Sequence, residues 1–243
     1  LDHAAHFTEK IAQLPGCYQP NDSRRARPSG ADRSVFGLPR DKTVLCGFHQ
    51  SYKISAAVFD RWCELLERLP DAVLWLLQWN TNVRDSLLAA AAARGIGAER
   101  LLFAPLLPLD EHLARHRLAD LFVDTLPYNA HTTASDALWA GLPVLTCTGA
   151  TFPGRVAGSL LRASGLRELV TAGLDEYEAL ALRLATTPAL LGGHRVRLAA
   201  QRSTCALFDT DRFRRHIEAA FVEMRARQRR GEPPAAFSVA ATP

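Results

Sequence analysis

The residues best suited to chemistry lie in a polar segment that leads into a predicted helix, YNAHTTASDALWAG at 128–141. His131, Thr132 and Thr133 stand at the start of that helix, and Asp136 follows one turn later. The first four amide groups of a helix have no intrahelical partner, and the helix dipole adds partial positive charge there. Such a place is either capped by a side chain or open to an anion.

Two interpretations of this segment compete. A plain N-cap from Thr132 or Thr133 would add about 1 kcal/mol of helix stability. A cap needs one hydroxyl, however, whereas this segment offers a histidine and two threonines in succession, with Asp136 placed to reach a sugar hydroxyl. Two hydroxyls beside unpaired amides favour a diphosphate. The chain has no GxxxxGK[ST] and no GxGxxG motif, which disfavours mononucleotide hydrolysis and nicotinamide redox chemistry.

Two further polar clusters follow predicted strands. Lys53, after Gln50 in FHQSYK, either neutralises a phosphate as a point charge or is a surface lysine. His112 and His116 have the i, i+4 spacing of metal ligands, but without a third ligand we expect no metal site. His112 and Arg115 combine a flat ring with a planar guanidinium, which suits a nucleobase. A solvated helix face explains that pair almost as well.

The elements that would position these clusters alternate regularly from residue 43 onward. Apolar runs predict strands at 43–48, 72–79, 100–105, 119–124 and 143–147. Helices are predicted at 55–69, 84–94, 110–117, 133–140, 153–164, 175–186, 188–203 and 209–228. Because parallel strands need crossover connections, this alternation predicts an α/β fold with a doubly wound, Rossmann-like parallel sheet. Ligands bind such sheets at the carboxyl ends of the strands, where the polar clusters converge.

Composition excludes several classes of protein. The 243 residues are 48% apolar and 22% charged, with no run long enough to cross a bilayer and no signal peptide, so we expect a cytoplasmic protein without membrane contact. The net charge of +4 lies largely in basic runs that lack interleaved aromatic residues, which argues against nucleic acid. Five scattered cysteines without a CxxC pair predict reduced, mostly buried thiols.

Several segments together strongly resemble the catalytic region of the O-linked N-acetylglucosamine transferase and SPINDLY family, bacterial members above all. They are CGFHQSYKI, VLWLL, RLLFAPLLPLDEHLARHRLADLFVDTLPYNAHTTASDALWAGLPVLT and RVAGSLL, and the resemblance runs from about FTEKIAQLPGCYQPND to Met224. It implies a glycosyltransferase B fold, in which two Rossmann-like halves hold a nucleotide sugar between them. This chain resembles the carboxyl-terminal half.

The resemblance assigns the phosphate contacts. Gln50 and Lys53 would bind the diphosphate, and Lys53 would also stabilise the leaving group as the catalytic residue. Thr132 and Thr133 would hold the phosphates at the helix start, with His131 beside them. Family members need no metal ion, so the resemblance implies neither a metal nor another cofactor.

The resemblance also assigns the nucleoside contacts. His112 would lie against the uracil with Arg115 near the same base, and Asp136 would help to hold the ribose. Two positions depart from the family pattern. Leu109 stands where animal members have a lysine that contacts the ribose, and His49 stands where asparagine is usual and could alter phosphate contacts.

The implied function is transfer of N-acetylglucosamine from UDP-GlcNAc to serine or threonine hydroxyls of acceptor proteins. One alternative is a GDP-fucose-dependent protein O-fucosyltransferase, because some SPINDLY proteins have that activity. Another is a non-catalytic nucleotide-binding remnant, since the half with the family's proposed catalytic histidine has no counterpart here. A sugar-nucleotide epimerase of the same fold has no support in the matching motifs. The isolated half is expected to be inactive.

The same reasoning divides the chain into three parts. Residues 1–40 are expected to be an irregular linker from a missing N-terminal half, preceded in family members by tetratricopeptide repeats. A nucleotide-sugar-binding domain is expected at 41–230 and a flexible tail at 231–243. The chain begins at Leu1 and Met224 is its only methionine, so we expect a processed protein or a piece of a longer one.

Overall fold

The computed structural model describes residues 4–25 and 30–241. Parts of the predicted linker (1–3 and 26–29) and the end of the predicted tail (242–243) therefore lie outside the described residues. The described residues form two compact units, one within the ranges 1–25 and 203–243 and the other within 26–202. The larger unit thus ends before the last long helix, whereas the sequence places that helix in the domain at 41–230.

The described residues form eight strands: β1 (Ala12–Gln13), β2 (Thr43–Gly47), β3 (Ala72–Leu77), β4 (Leu101–Ala104), β5 (Leu121–Val123), β6 (Val144–Cys147), β7 (Val170–Thr171) and β8 (Phe237–Ser238). They also form eight α-helices: α1 (Ala56–Arg68), α2 (Thr81–Ala92), α3 (Leu109–His116), α4 (Thr132–Ala140), α5 (Val156–Ala163), α6 (Leu174–Thr186), α7 (Pro188–Gln201) and α8 (Thr210–Arg229). Short 3-10 turns lie at Ala4–His6, Arg33–Phe36, Ser51–Lys53, Ala98–Arg100 and Arg167–Leu169. None of the helices in the described ranges combines the length and apolar character needed to cross a membrane.

The larger unit contains a parallel sheet with strand order β4-β3-β2-β5-β6-β7. All six residues of β3 are buried, as expected for a strand covered on both faces. The strand order reverses between β2 and β5, which is where a doubly wound sheet opens its binding crevice. The predicted α/β fold is confirmed. The five cysteines are free thiols, and all but Cys205 are buried.

Helix α1 packs against β3 and directly against α6. The indole of Trp62 donates to the Tyr177 hydroxyl at 3.1 Å, and that hydroxyl donates to the Asp124 carbonyl at 3.0 Å. Ser55 caps α1 and donates its own hydroxyl proton to the Leu126 carbonyl at 2.7 Å. These bonds connect the core of the unit to the segment that follows β5.

The smaller unit pairs two segments that the sequence predicts to be irregular. Strands β1 and β8 are parallel, with the Phe237 amide donating to the Ile11 carbonyl at 3.0 Å. Helix α8 is capped by Asp209, whose carboxylate accepts the Arg212 amide at 2.8 Å. The expected tail therefore contains a strand. On α8 the Phe221 side chain is 59% exposed.

Candidate functional site

The carboxyl ends of β2, β5 and β6 are adjacent in the sheet, so the segments after them meet at one edge. The segment after β5 leads directly into α4, and the segment after β6 closes against it. The backbone amide of Asn129 donates to the Pro153 carbonyl at 3.0 Å. The Nε2 atom of His131 lies 3.2 Å from the same carbonyl oxygen. The cluster with Gln50 and Lys53 follows β2, and the cluster with His131, Thr132 and Thr133 follows β5. Because these two strands are neighbours, the two clusters share one edge of the sheet.

The start of α4 is not capped by its own side chains. His131 occupies the N-cap position without a side-chain capping bond. Within the described residues, no protein acceptor takes the amide protons of Thr132, Thr133 and Ala134. Thr132 is exposed and Thr133 half-buried. Plain capping is therefore not what this helix adopts, and its amides and hydroxyls remain available to an anion.

Lys53 lies beside the segment that leads into α4. Its ammonium donates to the Asn129 carbonyl at 3.0 Å and lies 4.1 Å from the centroid of the Tyr128 ring. Burial lowers the pKa of Lys53, and the nearby Asp124 carboxyl acts against that. Gln50 is exposed at the start of the same turn, where its carbonyl accepts the Lys53 amide at 3.0 Å. The turn presents an ammonium and a carboxamide at one edge.

Asp124 organises the segment between β5 and α4 and is absent from the residues that the sequence selects. Its Oδ1 accepts the Ala130 amide at 2.6 Å and the Thr125 amide at 2.7 Å. Its Oδ2 accepts the Thr146 hydroxyl at 2.6 Å. Burial raises the pKa of Asp124 to about 7, although these three bonds and Lys53 lower it. An aspartate that ends an apolar strand just before a polar segment was the available sequence signal.

The segment after β6 is also part of the edge, although the sequence predicts a helix there from residue 153. Helix α5 begins only at Val156, because the Gly149 amide donates to the Gly154 carbonyl at 2.6 Å and closes a loop. A Cβ on Gly154 would lie 2.7 Å from the Pro127 carbonyl oxygen, so only glycine fits there. Close packing between the two segments requires this residue.

His112 lies on α3, and Arg115 lies behind it. Arg115 is 1% exposed. Its Nε donates a hydrogen bond to His112 Nδ1 at 3.0 Å, and one of its terminal nitrogens donates to the Pro105 carbonyl at 2.5 Å. Its guanidinium also lies 4.5 Å from the centroid of the Phe48 ring. The structure thus buries Arg115 against the His112 ring. Because His112 Nδ1 accepts, its proton is on Nε2. Burial, together with the Arg115 charge, lowers the pKa of His112 to about 4.

The remaining histidines of this region belong to the core. His116 is fully buried with its Nδ1 2.7 Å from the His112 carbonyl oxygen, and burial lowers its pKa well below the ordinary value. His49 is turned into the sheet, where Nε2 donates to the Val123 carbonyl at 2.8 Å. The expected effect of His49 on phosphate contacts is therefore not a direct side-chain contact. Across the described ranges, no three His, Cys, Asp or Glu side chains group as metal ligands.

The last two selected positions lie on α3 and α4. Asp136 is buried, at 5% exposure, on the second turn of α4. Leu109 begins α3 and is 55% exposed, so the position where animal family members have lysine is open to solvent. The larger unit therefore brings polar groups from β2, β5 and β6 to one edge. His112 borders that edge, since its ring centroid lies 5.4 Å from that of Phe48.

A parallel α/β sheet with an uncapped helix and an ammonium at its crevice defines a class of proteins that bind phosphorylated ligands there. Comparison with known families makes the assignment specific. The model of glycosyl transferase family 41 matches residues 21–217. The chain belongs to this family of glycosyltransferases, and the resemblance seen in the sequence is confirmed.

Curated relatives support the same family. The chain is 36% identical over 246 residues to the probable UDP-N-acetylglucosamine–peptide N-acetylglucosaminyltransferase SEC of Arabidopsis thaliana, covering 98% of this chain and 25% of that protein. It is 34% identical over 201 residues to the UDP-N-acetylglucosamine–peptide N-acetylglucosaminyltransferase of Caenorhabditis elegans, covering 83% of this chain and 18% of that protein. The chain thus spans a quarter or less of the length of these relatives.

Solved structures agree on the fold. A mutant of the Thermobaculum terrenum O-GlcNAc transferase superposes with a TM-score of 0.71 at 30% identity, covering 86% of this chain and 39% of that one. Anabaena HepE, solved in complex with UDP and glucose, superposes with a TM-score of 0.62 at 14% identity, covering 85% and 56% of the two chains. The second likeness concerns the fold alone.

Proposed function

We propose that this chain is the nucleotide-sugar-binding half of a protein O-glycosyltransferase that transfers N-acetylglucosamine from UDP-GlcNAc to serine or threonine hydroxyls. The observation that carries the proposal is the start of α4, where three amides and two hydroxyls have no described protein partner next to an ammonium-bearing segment. The named activity of the relatives supports the donor.

In this proposal the diphosphate is bound by Lys53, Gln50, Thr132, Thr133 and the α4 amides. His131 lies beside the phosphates. The acceptor hydroxyl attacks the anomeric carbon, the bond from that carbon to the diphosphate oxygen breaks, and UDP leaves with the electron pair. The charge that develops on the departing diphosphate is stabilised by Lys53 and by the amide dipoles, and we assign no metal ion or other cofactor to this step.

The nucleoside is proposed to lie toward α3. His112 would contact the base through its ring and its Nε2–H, while Arg115 holds the ring from behind. Asp136 is proposed to hold the ribose. The acceptor protein, and the base that takes its proton, are assigned to the N-terminal half of the longer protein, because the relatives extend well beyond the matched region.

Calorimetry of UDP binding to this chain tests the proposal. The double variant Thr132→Ala/Thr133→Ala removes two hydrogen bonds to a charged group, so the Kd for UDP should rise about 100-fold. Thr81→Ala is the matched control, since Thr81 is exposed in the first turn of α2, a helix already capped by Asn80. A double variant that binds UDP as tightly as the parent would refute the phosphate site. Tighter binding of GDP than of UDP would favour the fucosyltransferase alternative.

A further inference from the structure

The Tyr128 ring contacts the proposed phosphate-binding groups, although neither the family assignment nor the sequence motifs select it. The Lys53 ammonium lies 4.1 Å from its centroid. The His131 ring stacks on it with centroids 5.0 Å apart and planes at 24°. The Tyr52 ring meets it edge-on, with centroids 6.0 Å apart. One aromatic side chain therefore touches both an ammonium and a histidine of the edge.

The backbone that carries this ring is held on both sides. The Thr125 hydroxyl donates to the Tyr128 carbonyl at 2.7 Å. Next along the chain, the Asn129 amide donates to the Pro153 carbonyl at 3.0 Å, and Asp124 accepts the Ala130 amide at 2.6 Å. The ring is thus a fixed surface rather than a side chain on a loose loop.

The Lys53 side chain is half-buried, so its ammonium has lost part of its hydration. An ammonium has three N–H donors, and among the described residues a single acceptor, the Asn129 carbonyl, lies within hydrogen-bond distance of Nζ. The negative face of a tyrosine ring attracts a cation at this distance, most strongly where water is partly excluded. The ring and the carbonyl together define where the ammonium sits and leave donor capacity for an anion.

We propose that Tyr128 is a positioning residue that holds the Lys53 ammonium at the phosphate-binding edge by a cation–π contact. The contribution of the positioned ammonium to catalysis rests on the proposed function, whereas the contact between Lys53 and Tyr128 does not. The aromatic face carries the effect and the phenolic hydroxyl does not, so phenylalanine should substitute for tyrosine and leucine should not.

The chain allows a direct test because Lys10, Lys42 and Lys53 are its only lysines. After uniform ¹³C labelling, their side-chain Hε signals can be assigned with Lys53→Arg. Protons above an aromatic face resonate upfield, so the Lys53 signals should lie upfield of the other two in the parent chain and in Tyr128→Phe. They should move to the position of the other lysines in Tyr128→Leu. Tyr52→Leu is the control, because Tyr52 is an exposed aromatic residue that meets the Tyr128 ring edge-on and, among the described residues, makes no cation–π contact with Lys53.

A second measurement separates this inference from the proposed function. In calorimetry, Tyr128→Leu should weaken UDP binding about fivefold while Tyr128→Phe restores it. Lys53 signals that coincide with those of Lys10 and Lys42 in the parent chain would overturn the inference, even if no leucine variant folds. Equal loss of the upfield shift in the phenylalanine and leucine variants would also overturn it. The expected shifts without any UDP binding would support the positioning role and refute the proposed function instead.

Discussion

Replacing Asp124 by asparagine should change how the stability of the larger unit depends on pH. The carboxyl is buried, and its pKa is raised from the ordinary value of 3.8 to about 7. Between these two pH values the folded state binds a proton that the unfolded state has released, so the free energy of unfolding falls as the pH rises. A displacement from 3.8 to about 7 corresponds to about 4 kcal/mol. Asparagine does not titrate, so the variant should lack this pH-dependent contribution to the free energy of unfolding.

Urea unfolding followed by tryptophan fluorescence measures the effect, because Trp62, Trp75, Trp79 and Trp139 all lie in the larger unit. The quantity to plot is the stability of the parent minus that of Asp124→Asn, from pH 4.5 to pH 8.5. Over this window it should decrease by about 3 kcal/mol as the pH rises toward 7 and then level off. Buried histidines contribute equally to both proteins and cancel. Asp41→Asn, at an exposed position, should give no such trend.

A difference that stays constant or grows with pH would refute this reasoning. It would mean that the bonds from Ala130, Thr125 and Thr146 stabilise the anion by more than burial disfavours it. Donors of this kind can hold a carboxylate pKa low. The sign of the slope therefore decides between desolvation and hydrogen bonding as the dominant influence on this group.

Three further outcomes follow from the same structure. In a protein that also carries the proposed N-terminal half, Lys53→Ala should lower kcat by about 100- to 1,000-fold, while Lys10→Ala leaves it unchanged. A loss of only a few-fold in a folded enzyme would remove Lys53 from leaving-group stabilisation. Arg115→Met should raise the pKa of His112 above its value of about 4 in an NMR titration and weaken UDP binding, and an unchanged pKa would show that Arg115 does not act on the ring. Gly154→Ala should destabilise the larger unit by about 1–3 kcal/mol in urea unfolding, because its Cβ meets a backbone carbonyl. Gly193→Ala, in open space on α7, should instead stabilise it by about 0.5–1 kcal/mol; equal effects would contradict the packing argument.

The central strands and their order of appearance could be predicted because each is a short apolar run with a turn on either side. Strand β7 was not predicted, since two residues at 170–171 carry no periodicity. Strands β1 and β8 were not predicted either, because Ala12 pairs with Phe237 across most of the chain. Local patterns identify elements that bury a face by themselves, whereas pairings of distant segments depend on the completed fold.

The site shows the same division. The helix start at Thr132 and Thr133 could be selected because capping chemistry is local. Tyr128 could not, since its importance comes from contact with Lys53 on another loop. Asp124 carries a local signal at the end of its strand, but its bond with Thr146 on another strand depends on the fold. The burial of Arg115 likewise depends on distant neighbours. Sequence spacing suggests that Arg115 and His112 share one surface, but the structure places the guanidinium beneath the ring.

The charges at this edge of the sheet support the proposed anion site. His112 and His49 have pKa values of about 4 because they are buried, so neither gains charge near neutral pH. Positive potential comes instead from the amides of α4, which cannot titrate, and from Lys53. Burial raises the pKa of Asp124 to about 7, and its Oδ1 accepts hydrogen bonds from the Ala130 and Thr125 amides of the segment that leads into α4. The Lys53 ammonium instead donates to the Asn129 carbonyl, and its two other N–H groups remain for a ligand of the proposed site.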